Sequence, residues 1–480
     1  MPSIDVFLAN NKSMIIAPAG HGKTHTITSC VKLCNAEKKC LILTHTHAGI
    51  ASIREKMKKE AVEPSKYKLE TICGFALEYT NAFHINKDDI PDAENGSEYF
   101  DCAIKIATKL LQSEVIKSAI SASFSHLIVD EYQDCTIKQH HLILAISNIL
   151  PTHILGDPLQ GIFGFRNNPL VDMNSNEAMG EFIQNIQELD IPWRWNNNNA
   201  TALGQALLSI RSSLINNNPI DLNNHSQQIE IVIEPENNYI GQNSIYKQVI
   251  WHEINSRSTT SLLLIHPNTT SVDPRIKFIQ QFPPLRLIES IDDKVYYKYA
   301  KLFDEKDGQN LVDAILQLMR HLSLKSVVNS WFRDNGLLKN KQSEGDQNIS
   351  NGLRHYINAL LQAKSTLHIA SIIRKILTLP GNKCYRMELL NDLIKALESS
   401  HTNGISVYES IKKDRNVVRQ QGRKIFGKCI GTTLLTKGLE FDVVIVLNAH
   451  KFDDPKHLYV AITRACKKLI IISQSSVILT

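Results

Sequence analysis

The sequence predicts an α/β fold in which parallel sheets are flanked by helices, with additional helical insertions. Short apolar runs of strand length recur in the N-terminal third, and polar residues with a helical pattern come after them, as at 14–16 and 40–44. Further runs of this kind lie at 262–265 and 469–472. Residues 300–420 instead place apolar side chains three or four positions apart, which indicates helices.

The composition is that of a globular protein with room for about three domains in its 480 residues. The 53 Lys and Arg residues barely exceed the 48 Asp and Glu residues, which permits a polyanionic partner without requiring one. No apolar run approaches the roughly 20 residues that span a bilayer, and the N-terminus lacks the plan of a signal peptide. We therefore expect a cytoplasmic protein without membrane contact, whose nine cysteines are free thiols.

Residues 17–24 lie between a short apolar run and a helical segment, and they predict a phosphate-binding loop. A strand, a tight loop and a helix N-terminus together bind anions, because backbone N–H groups and the helix dipole both favour negative charge. In the pattern GxxxxGK[ST] the lysine reaches the β- and γ-phosphates and the hydroxyl holds Mg²⁺. Ala17 takes the place of the first glycine. We expect a nucleoside triphosphate to contact Ala17, Pro18, Ala19, Gly20, His21, Gly22, Lys23 and Thr24.

Two adjacent carboxylates, Asp130 and Glu131, follow the apolar run at 126–129. Carboxylates at the end of a buried strand are costly unless they bind a cation or a proton. We expect Asp130 to bind Mg²⁺ together with Thr24, and Glu131 to act as the base that orients the attacking water. A solvated acidic turn is the alternative, which the nearby phosphate loop makes less favoured.

A third polar segment follows the run at 153–155. The amide of Gln160 can hydrogen-bond a γ-phosphate oxygen or the attacking water. Phe163 and Phe165, with Arg166 beside them, form an aromatic and cationic set suited to stacking a base of single-stranded DNA. A place in the hydrophobic core is the alternative for the two phenylalanines.

The order of these motifs resembles that of superfamily 1A DNA helicases of the UvrD/Rep/PcrA type. Downstream, Asp-Ile-Pro-Trp-Arg-Trp at 190–195 resembles the family's motif IV. Thr-Lys-Gly-Leu-Glu-Phe-Asp at 436–442 resembles motif V, and Tyr-Val-Ala-Ile-Thr-Arg-Ala at 459–465 resembles motif VI. The resemblance implies two RecA-like P-loop lobes: a first lobe (1A) at 1–80 and 121–190, a small helical insertion (1B-like) at 81–120, a second lobe (2A) at 191–300 and 421–480, and a helical insertion (2B-like) at 301–420.

The resemblance also implies roles for single residues. Trp193 would stack on adenine, Arg194 would contact the γ-phosphate, and Arg464 would be the arginine finger. Lys23, Glu131, Gln160, Arg194 and Arg464 would form the catalytic set, while Gly438 and Glu440, next to Lys437, would join Trp193, Arg194 and Arg464 in binding ATP.

DNA-binding residues implied by the resemblance lie at the ends of the predicted strands, at Thr44, His45, Thr71, Phe163, Phe165 and Arg166. The chain departs from the family at several of these motifs. Residues 1–22 contain no Gln to recognise adenine, so we expect weak selectivity for the base of the nucleotide. His45 and His47, Cys73 and Leu434 replace residues of the family's DNA face, so we expect a DNA grip that is weaker or differently tuned.

The sequence therefore predicts an ATP-dependent DNA helicase or single-strand translocase, acting on single-stranded or tailed duplex DNA, with 3′→5′ polarity implied by the resemblance. The alternative is a DNA-sensing ATPase that regulates a partner protein, for example a nuclease in anti-phage defence, without processive unwinding. A plain P-loop kinase or GTPase is a third possibility, but such enzymes have no use for Lys437 or Arg464. No nuclease domain is expected, because the chain ends soon after Arg464.

Overall fold

A computed structural model of the chain describes residues 3–479 except for 35–36, 87–89, 92–95, 165–167, 235–243, 291–293, 422–424 and 426. For residues 96–97 and 416–421 it describes the backbone alone. The chain forms two compact units. The first comprises 1–269 and 432–480, and the second comprises 270–431.

The N-terminal part of the first unit forms a sheet of six parallel strands. These strands are β1 (Lys12–Ile16), β2 (Lys39–Thr44), β3 (Tyr67–Thr71), β4 (Phe124–Val129), β5 (Thr152–Gly156) and β6 (Ile186–Glu188). Their order in the sheet is β3-β2-β4-β5-β1-β6, and every pairing is parallel. The strands predicted at 14–16, 40–44, 126–129 and 153–155 are confirmed, as is the parallel sheet.

Helices cover both faces of this sheet, which explains why its strands are apolar runs rather than alternating ones. In β2, Leu41 and Leu43 join one hydrophobic cluster, whereas Cys40 and Ile42 join another. The first cluster includes residues of α4 (Ile72–Phe83), α5 (Gly96–Leu110), α6 (Glu114–Ser123) and α7 (Ile137–Ser147), and the second includes residues of α1 (Ile4–Ala9), α2 (Lys23–Leu33) and α3 (His47–Lys59). The carboxyl ends of the strands remain as the edge at which ligands bind in such sheets.

The chain then passes through connecting segments toward a second sheet. These are α8 (Asn176–Met179), α9 (Trp193–Asn196), α10 (Thr201–Ile215), β7 (Ile220–Asp221), β8 (Glu230–Ile233), α11 (Ile245–Asn255) and β9 (Leu262–Ile265). The helix α10 lies between two Asn-rich segments, at 196–199 and 216–218, and the sequence analysis did not predict it.

The second unit is mostly helical and has its own hydrophobic core. Its elements are α12 (Asp273–Gln281), β10 (Arg286–Leu287), α13 (Lys294–Glu305), α14 (Gly308–Leu322), α15 (Lys325–Trp331), α16 (Glu344–Gln362), α17 (Thr366–Leu377), α18 (Met387–Asn403), α19 (Val407–Gln421) and β11 (Lys428–Gly431). Strands β10 and β11 pair in parallel. The core draws on α13 to α19, and in α14 it contains the predicted apolar stripe of Leu311, Ile315, Leu318, Met319 and Leu322.

The chain returns to the first unit at residue 432 and completes the second sheet. The returning elements are α20 (Thr433–Thr436), β12 (Phe441–Val446), α21 (Pro455–Ile462), β13 (Ala465–Ser473) and β14 (Val477–Ile478). Within the first unit this sheet runs β9-β12-β13-β8 with parallel pairings, and β14 pairs with β7 antiparallel. The two parallel sheets correspond to the two predicted RecA-like lobes.

The compact second unit is wider than the helical insertion predicted at 301–420, because it also contains α12 and the β10–β11 pair. The assignment of the chain to four helicase subdomains remains a prediction. Among the residues that the structure describes, no helix combines the length and the apolar character that a bilayer crossing requires.

Candidate nucleotide site

The phosphate loop follows β1 directly, and α2 begins at Lys23, as the sequence pattern requires. Gly20 and Gly22 have φ angles of +74° and +93°, a region that residues with a side chain rarely adopt. Gly22 precedes the first turn of α2 and offers no side-chain cap. The N–H groups of that turn can therefore serve an anion. Ala17 is buried in the position of the first glycine.

Close packing is a second reason for a glycine at position 20. A Cβ atom at Gly20 would lie 2.8 Å from Cβ of Arg194 and 3.0 Å from the ring of Trp195, which is itself buried. The carbonyl of Gly20 accepts a hydrogen bond of 2.9 Å from the N–H of Arg194. The phosphate loop is therefore fitted against the first residues of α9.

This fit gives a testable expectation for Gly20→Ala. The added Cβ forces the loop away from Arg194, so we expect nucleotide affinity to fall by about tenfold or more. The matched control is Gly381→Ala, because Gly381 has the same φ of +74° and open space around its Cβ position. That control should lose stability, by about 1–2 kcal/mol, and keep wild-type affinity. Fluorescent nucleotide titration and thermal melting measure the two effects, and equal affinities in both variants would contradict the loop's role.

Lys23, Asp130 and Glu131 form one partly buried ionic cluster between the loop and the end of β4. The Lys23 ammonium pairs with the Glu131 carboxylate and lies 3.3 Å from Asp130 Oδ1. Burial opposes the charge of Lys23, but Asp130 and then Glu131 outweigh it and raise the pKa of Lys23 above its usual value. Glu131 itself has a φ of +55°, so the turn after β4 holds a non-glycine residue in a left-handed conformation.

The pKa values of the two carboxylates of this cluster shift in opposite directions. Burial raises the pKa of Asp130. Burial also opposes the charge of Glu131, but Lys23 and Lys437 overcome it and lower the pKa of Glu131 to about 2. Glu131 is thus ionised at neutral pH, as a base must be. Asp130 Oδ1 is buried and has no hydrogen-bond partner beyond its ion pair with Lys23 among the described residues, which fits a ligand of Mg²⁺.

Gln160 follows β5, and its amide is held at both ends. Its Nε2 donates to Asp157 Oδ2 at 2.9 Å, and its Oε1 accepts from Arg464 Nη2 at 3.4 Å. Gln133 connects this group to Glu131, because its Nε2 donates to the Glu131 carboxylate while its Oε1 accepts from the Asp157 N–H at 2.9 Å. The predicted sensor and arginine finger are therefore in contact, and Gln133 joins them to the predicted base.

Lys437 brings a second cation from the other sheet. Its Nζ lies 2.6 and 2.5 Å from the carboxylate oxygens of Asp134, and it donates to the backbone carbonyl of Gln160. The same ammonium lies 4.7 Å from the ring centroid of Phe163. Burial raises the pKa of Asp134 to about 6, although Lys437 opposes the rise.

Arg194 and Trp193 border the phosphate loop on its other side. Arg194 donates to Glu440 Oε1 at 2.7 Å and to the Thr463 carbonyl at 2.5 Å, so it bridges α9 and the predicted motifs V and VI. The ring of Trp193 lies next to Gly22, and the residue is 37% exposed, so part of it is open to a ligand. Gly438 has a φ of +82° in the turn that precedes β12.

His21, another residue of the phosphate loop, is buried. Its Nδ1 donates to the Ala19 carbonyl at 2.8 Å, and its ring meets the edge of Trp195. Burial lowers the pKa of His21, so the ring is neutral at physiological pH. A neutral, buried imidazole supports the loop's shape and adds no charge to it.

The predicted DNA-binding residues differ in their burial and in their hydrogen bonds. Thr44 is buried, and the hydroxyl of Thr71 accepts from the Gly74 N–H at 2.8 Å and thereby caps α4. His45 is partly buried, and burial lowers its pKa to about 4. Phe163 lies under Lys437, whereas Phe165 and Arg166 fall outside the described residues. The assignment of these residues to DNA binding remains a prediction.

Comparisons with known proteins bear on this arrangement. An AAA domain family matches residues 3–166, and a viral superfamily 1 RNA helicase core domain matches residues 340–473. The ATP-dependent DNA helicase Rep of Buchnera aphidicola is 36% identical over 94 residues, which cover 19% of this chain and 13% of Rep. One subunit of the ATP-dependent helicase/nuclease of Leuconostoc mesenteroides is 38% identical over 61 residues, 13% of this chain and 5% of that protein.

Lactococcus lactis has a similar helicase/nuclease protein, which is 26% identical over 157 residues, 31% of this chain and 12% of that protein. The chain thus spans only 5 to 13% of the length of these three relatives. Among solved structures, the Pif1 helicase of Candida albicans matches with a TM-score of 0.40 and 12% identity, over 98% of this chain and 93% of that one.

Proposed function

We propose that the chain hydrolyses ATP to move on DNA, as a helicase or single-strand translocase. The motif residues and the partial matches to helicase sequences support this proposal. One observation carries the proposal: a chain of hydrogen bonds through Gln133 and Asp157 connects Glu131 to Gln160, and Gln160 contacts Arg464, which precedes a strand of the second sheet. A base, a γ-phosphate sensor and an arginine finger are the groups that this chemistry requires.

Each of the proposed site residues has a distinct role in ATP hydrolysis. Lys23 and the N–H groups of the loop bind the phosphates, while Thr24 and Asp130 would hold Mg²⁺, which neutralises phosphate charge when bound. Glu131 accepts the proton of the attacking water. Gln160 orients that water, and the guanidinium of Arg464 stabilises the charge of the transition state.

The catalytic groups come from two different sheets, which offers a way to couple ATP hydrolysis to DNA binding. Gln160 belongs to the first sheet and Arg464 to the second, so hydrolysis depends on the approach of the two lobes. Lys437 joins the lobes as well, through Asp134 and the Gln160 carbonyl, and it lies on Phe163, a predicted DNA contact. A nucleobase of DNA that stacks on Phe163 would therefore act on the sensor, Gln160, through Lys437.

The rate of ATP hydrolysis with and without single-stranded DNA tests the proposal. We expect DNA to stimulate hydrolysis, and strand displacement to favour 3′-tailed over 5′-tailed duplexes. An inactive preparation that binds ATP normally would contradict the proposed activity. The family resemblance supports the 3′→5′ direction, and a preference for 5′ tails would contradict it.

The surroundings of two predicted DNA-binding residues favour a second candidate function, a DNA-sensing ATPase. Thr44 is buried and the Thr71 hydroxyl caps a helix, so these two side chains offer less to a DNA backbone than free hydroxyls would. A DNA-sensing ATPase that regulates a partner protein needs only transient contact with DNA. DNA-stimulated hydrolysis without displacement of either tailed duplex would favour this function over the helicase.

Nucleotide selectivity gives a further expectation. Residues 1–22 contain no Gln, so stacking on Trp193 is the proposed base contact, and purines offer similar faces for stacking. We expect kcat/KM for ATP and GTP to agree within about tenfold, and Trp193→Ala to lower both. Parallel measurements with ATP, GTP and CTP check this. A GTPase rate several orders of magnitude below the ATPase rate would reveal a specific adenine contact.

A further inference from the structure

A buried arginine outside every recognised motif lies beside the candidate nucleotide site. Arg211 belongs to α10, and its Nη1 donates to Asp157 Oδ1 at 2.6 Å. The side chains of Arg211 and Asp157 are 5% and 0% exposed. Nε of Arg211 has no hydrogen-bond partner among the described residues. A buried pair that leaves a donor unsatisfied is a poor stabilising device, which suggests another role for it.

Asp157 of the Arg211–Asp157 pair positions the predicted γ-phosphate sensor, Gln160. Asp157 Oδ2 accepts from Gln160 Nε2 at 2.9 Å, and Asp157 Oδ1 accepts from the Leu159 N–H at 3.2 Å. Asp157 thereby fixes both the turn that carries Gln160 and the orientation of its amide. Because Nε2 of Gln160 is bound to Asp157, its Oε1 is left to face Arg464.

Arg211, the other member of the pair, contacts Tyr459 of α21. Its guanidinium lies over the Tyr459 ring, with Cζ 5.3 Å from the ring centroid. The Tyr459 hydroxyl accepts from the N–H of Ala19, in the phosphate loop, at 3.3 Å. Burial raises the pKa of Tyr459, so the hydroxyl stays protonated. Tyr459 lies five positions before Arg464 in the chain.

We propose that Arg211 is a positioning residue for ATP hydrolysis. It holds Asp157 of the first lobe and Tyr459 of the second, and so sets the sensor Gln160 and the helix that leads to Arg464 in their reactive arrangement. The inference rests on the proposed ATPase function. It also assigns Arg211 a part in coupling, because the two lobes cannot separate without breaking one of its contacts.

The test uses Arg211→Lys in the full chain. Lysine keeps the positive charge beside Asp157, but it lacks the rigid fork that binds two acceptors at once. We expect kcat to fall by about tenfold or more, while KM and the affinity for a fluorescent non-hydrolysable ATP analogue stay within about threefold. Loss of nucleotide binding would point instead to a damaged loop and would overturn the proposal.

The second unit contains a matched control. Arg415 Nη2 lies 2.5 Å from Asp392 Oδ2, and its Cζ lies 4.4 Å from the ring centroid of Tyr296, which repeats the Arg–Asp–Tyr grouping in a region without proposed chemistry. Arg415→Lys removes the same chemical group and should lower the melting temperature without changing kcat. If it lowers kcat as much as Arg211→Lys does, the effect is one of general stability and the proposal is wrong.

A third variant tests the route through Tyr459. Tyr459→Phe keeps the ring beside Arg211 and removes only the hydroxyl that accepts from the Ala19 N–H, and we expect a smaller fall in kcat. In the double variant with Arg211→Lys, the losses should be less than multiplicative, because both act through Tyr459. Fully multiplicative losses would overturn that route. A wild-type chain without ATPase activity would instead refute the proposed function, so the two failures are distinguishable.

Discussion

Glu131→Gln is expected to abolish ATP turnover while leaving ATP binding intact. The amide keeps the size of the carboxylate and can still contact Lys23 and Gln133, but it cannot accept a proton. Positioned general bases contribute about 10²- to 10⁴-fold to rates, and we expect a loss of kcat in this range. The measurement is the steady-state ATPase rate with single-stranded DNA present, beside equilibrium binding of a fluorescent ATP analogue.

Glu60→Gln is a suitable control for Glu131→Gln. Glu60, at the end of α3, also has a pKa lowered to about 2, through hydrogen bonds from Lys32 and Lys56, but it lies outside the proposed site. Its substitution should leave kcat unchanged. Lys23→Ala should weaken ATP binding as well as turnover, because it removes the cation of the loop. A wild-type rate in Glu131→Gln would show that the water is activated by another group.

Arg464→Ala should cost at least as much turnover as the loss of the base. Burial lowers the pKa of Arg464 to about 10, so it remains charged at neutral pH, and its Nη2 contacts the sensor Gln160. Arginine fingers contribute about 10³- to 10⁵-fold to kcat, and a loss of that size is expected. Arg464→Lys keeps the charge without the fork and should fall between the alanine variant and the wild type.

Folding must be checked in the Arg464 variants, because the side chain also donates to the Val460 carbonyl at 2.9 Å. Thermal melting and nucleotide affinity provide that check at the assay temperature. A folded Arg464→Ala variant within about tenfold of the wild-type kcat would contradict the finger assignment. The role would then pass to Arg194, which contacts the same region through Thr463.

Local sequence was sufficient for the parts of the site that a strand and its following turn create. The phosphate loop and Asp130–Glu131 depend on residues within a few positions of one another, and the strands before them are apolar runs. The contacts of Arg211 were not predictable in this way. Its partners lie at 157 and 459, and α10 itself is flanked by Asn-rich segments that favour turns.

The resemblance to the helicase family located the motifs, but it did not determine which contacts each side chain makes in this chain. Thr71 illustrates the difference, because its position suggests DNA while its hydroxyl accepts the Gly74 N–H and caps α4. Gln133 illustrates the reverse. It lies within a recognised motif, and only its two contacts, with Glu131 and with Asp157, reveal it as the link between base and sensor.

The division of the chain has an evolutionary consequence. Every residue proposed to act in ATP chemistry, from Lys23 to Arg464, belongs to the first compact unit, while α13 to α19 bury a core of their own in the second. Mutations in the core of the second unit therefore change none of the residues proposed to act in ATP chemistry. Natural selection can diversify the insertion, with whatever it recognises, at one rate and preserve the hydrolytic machinery at another.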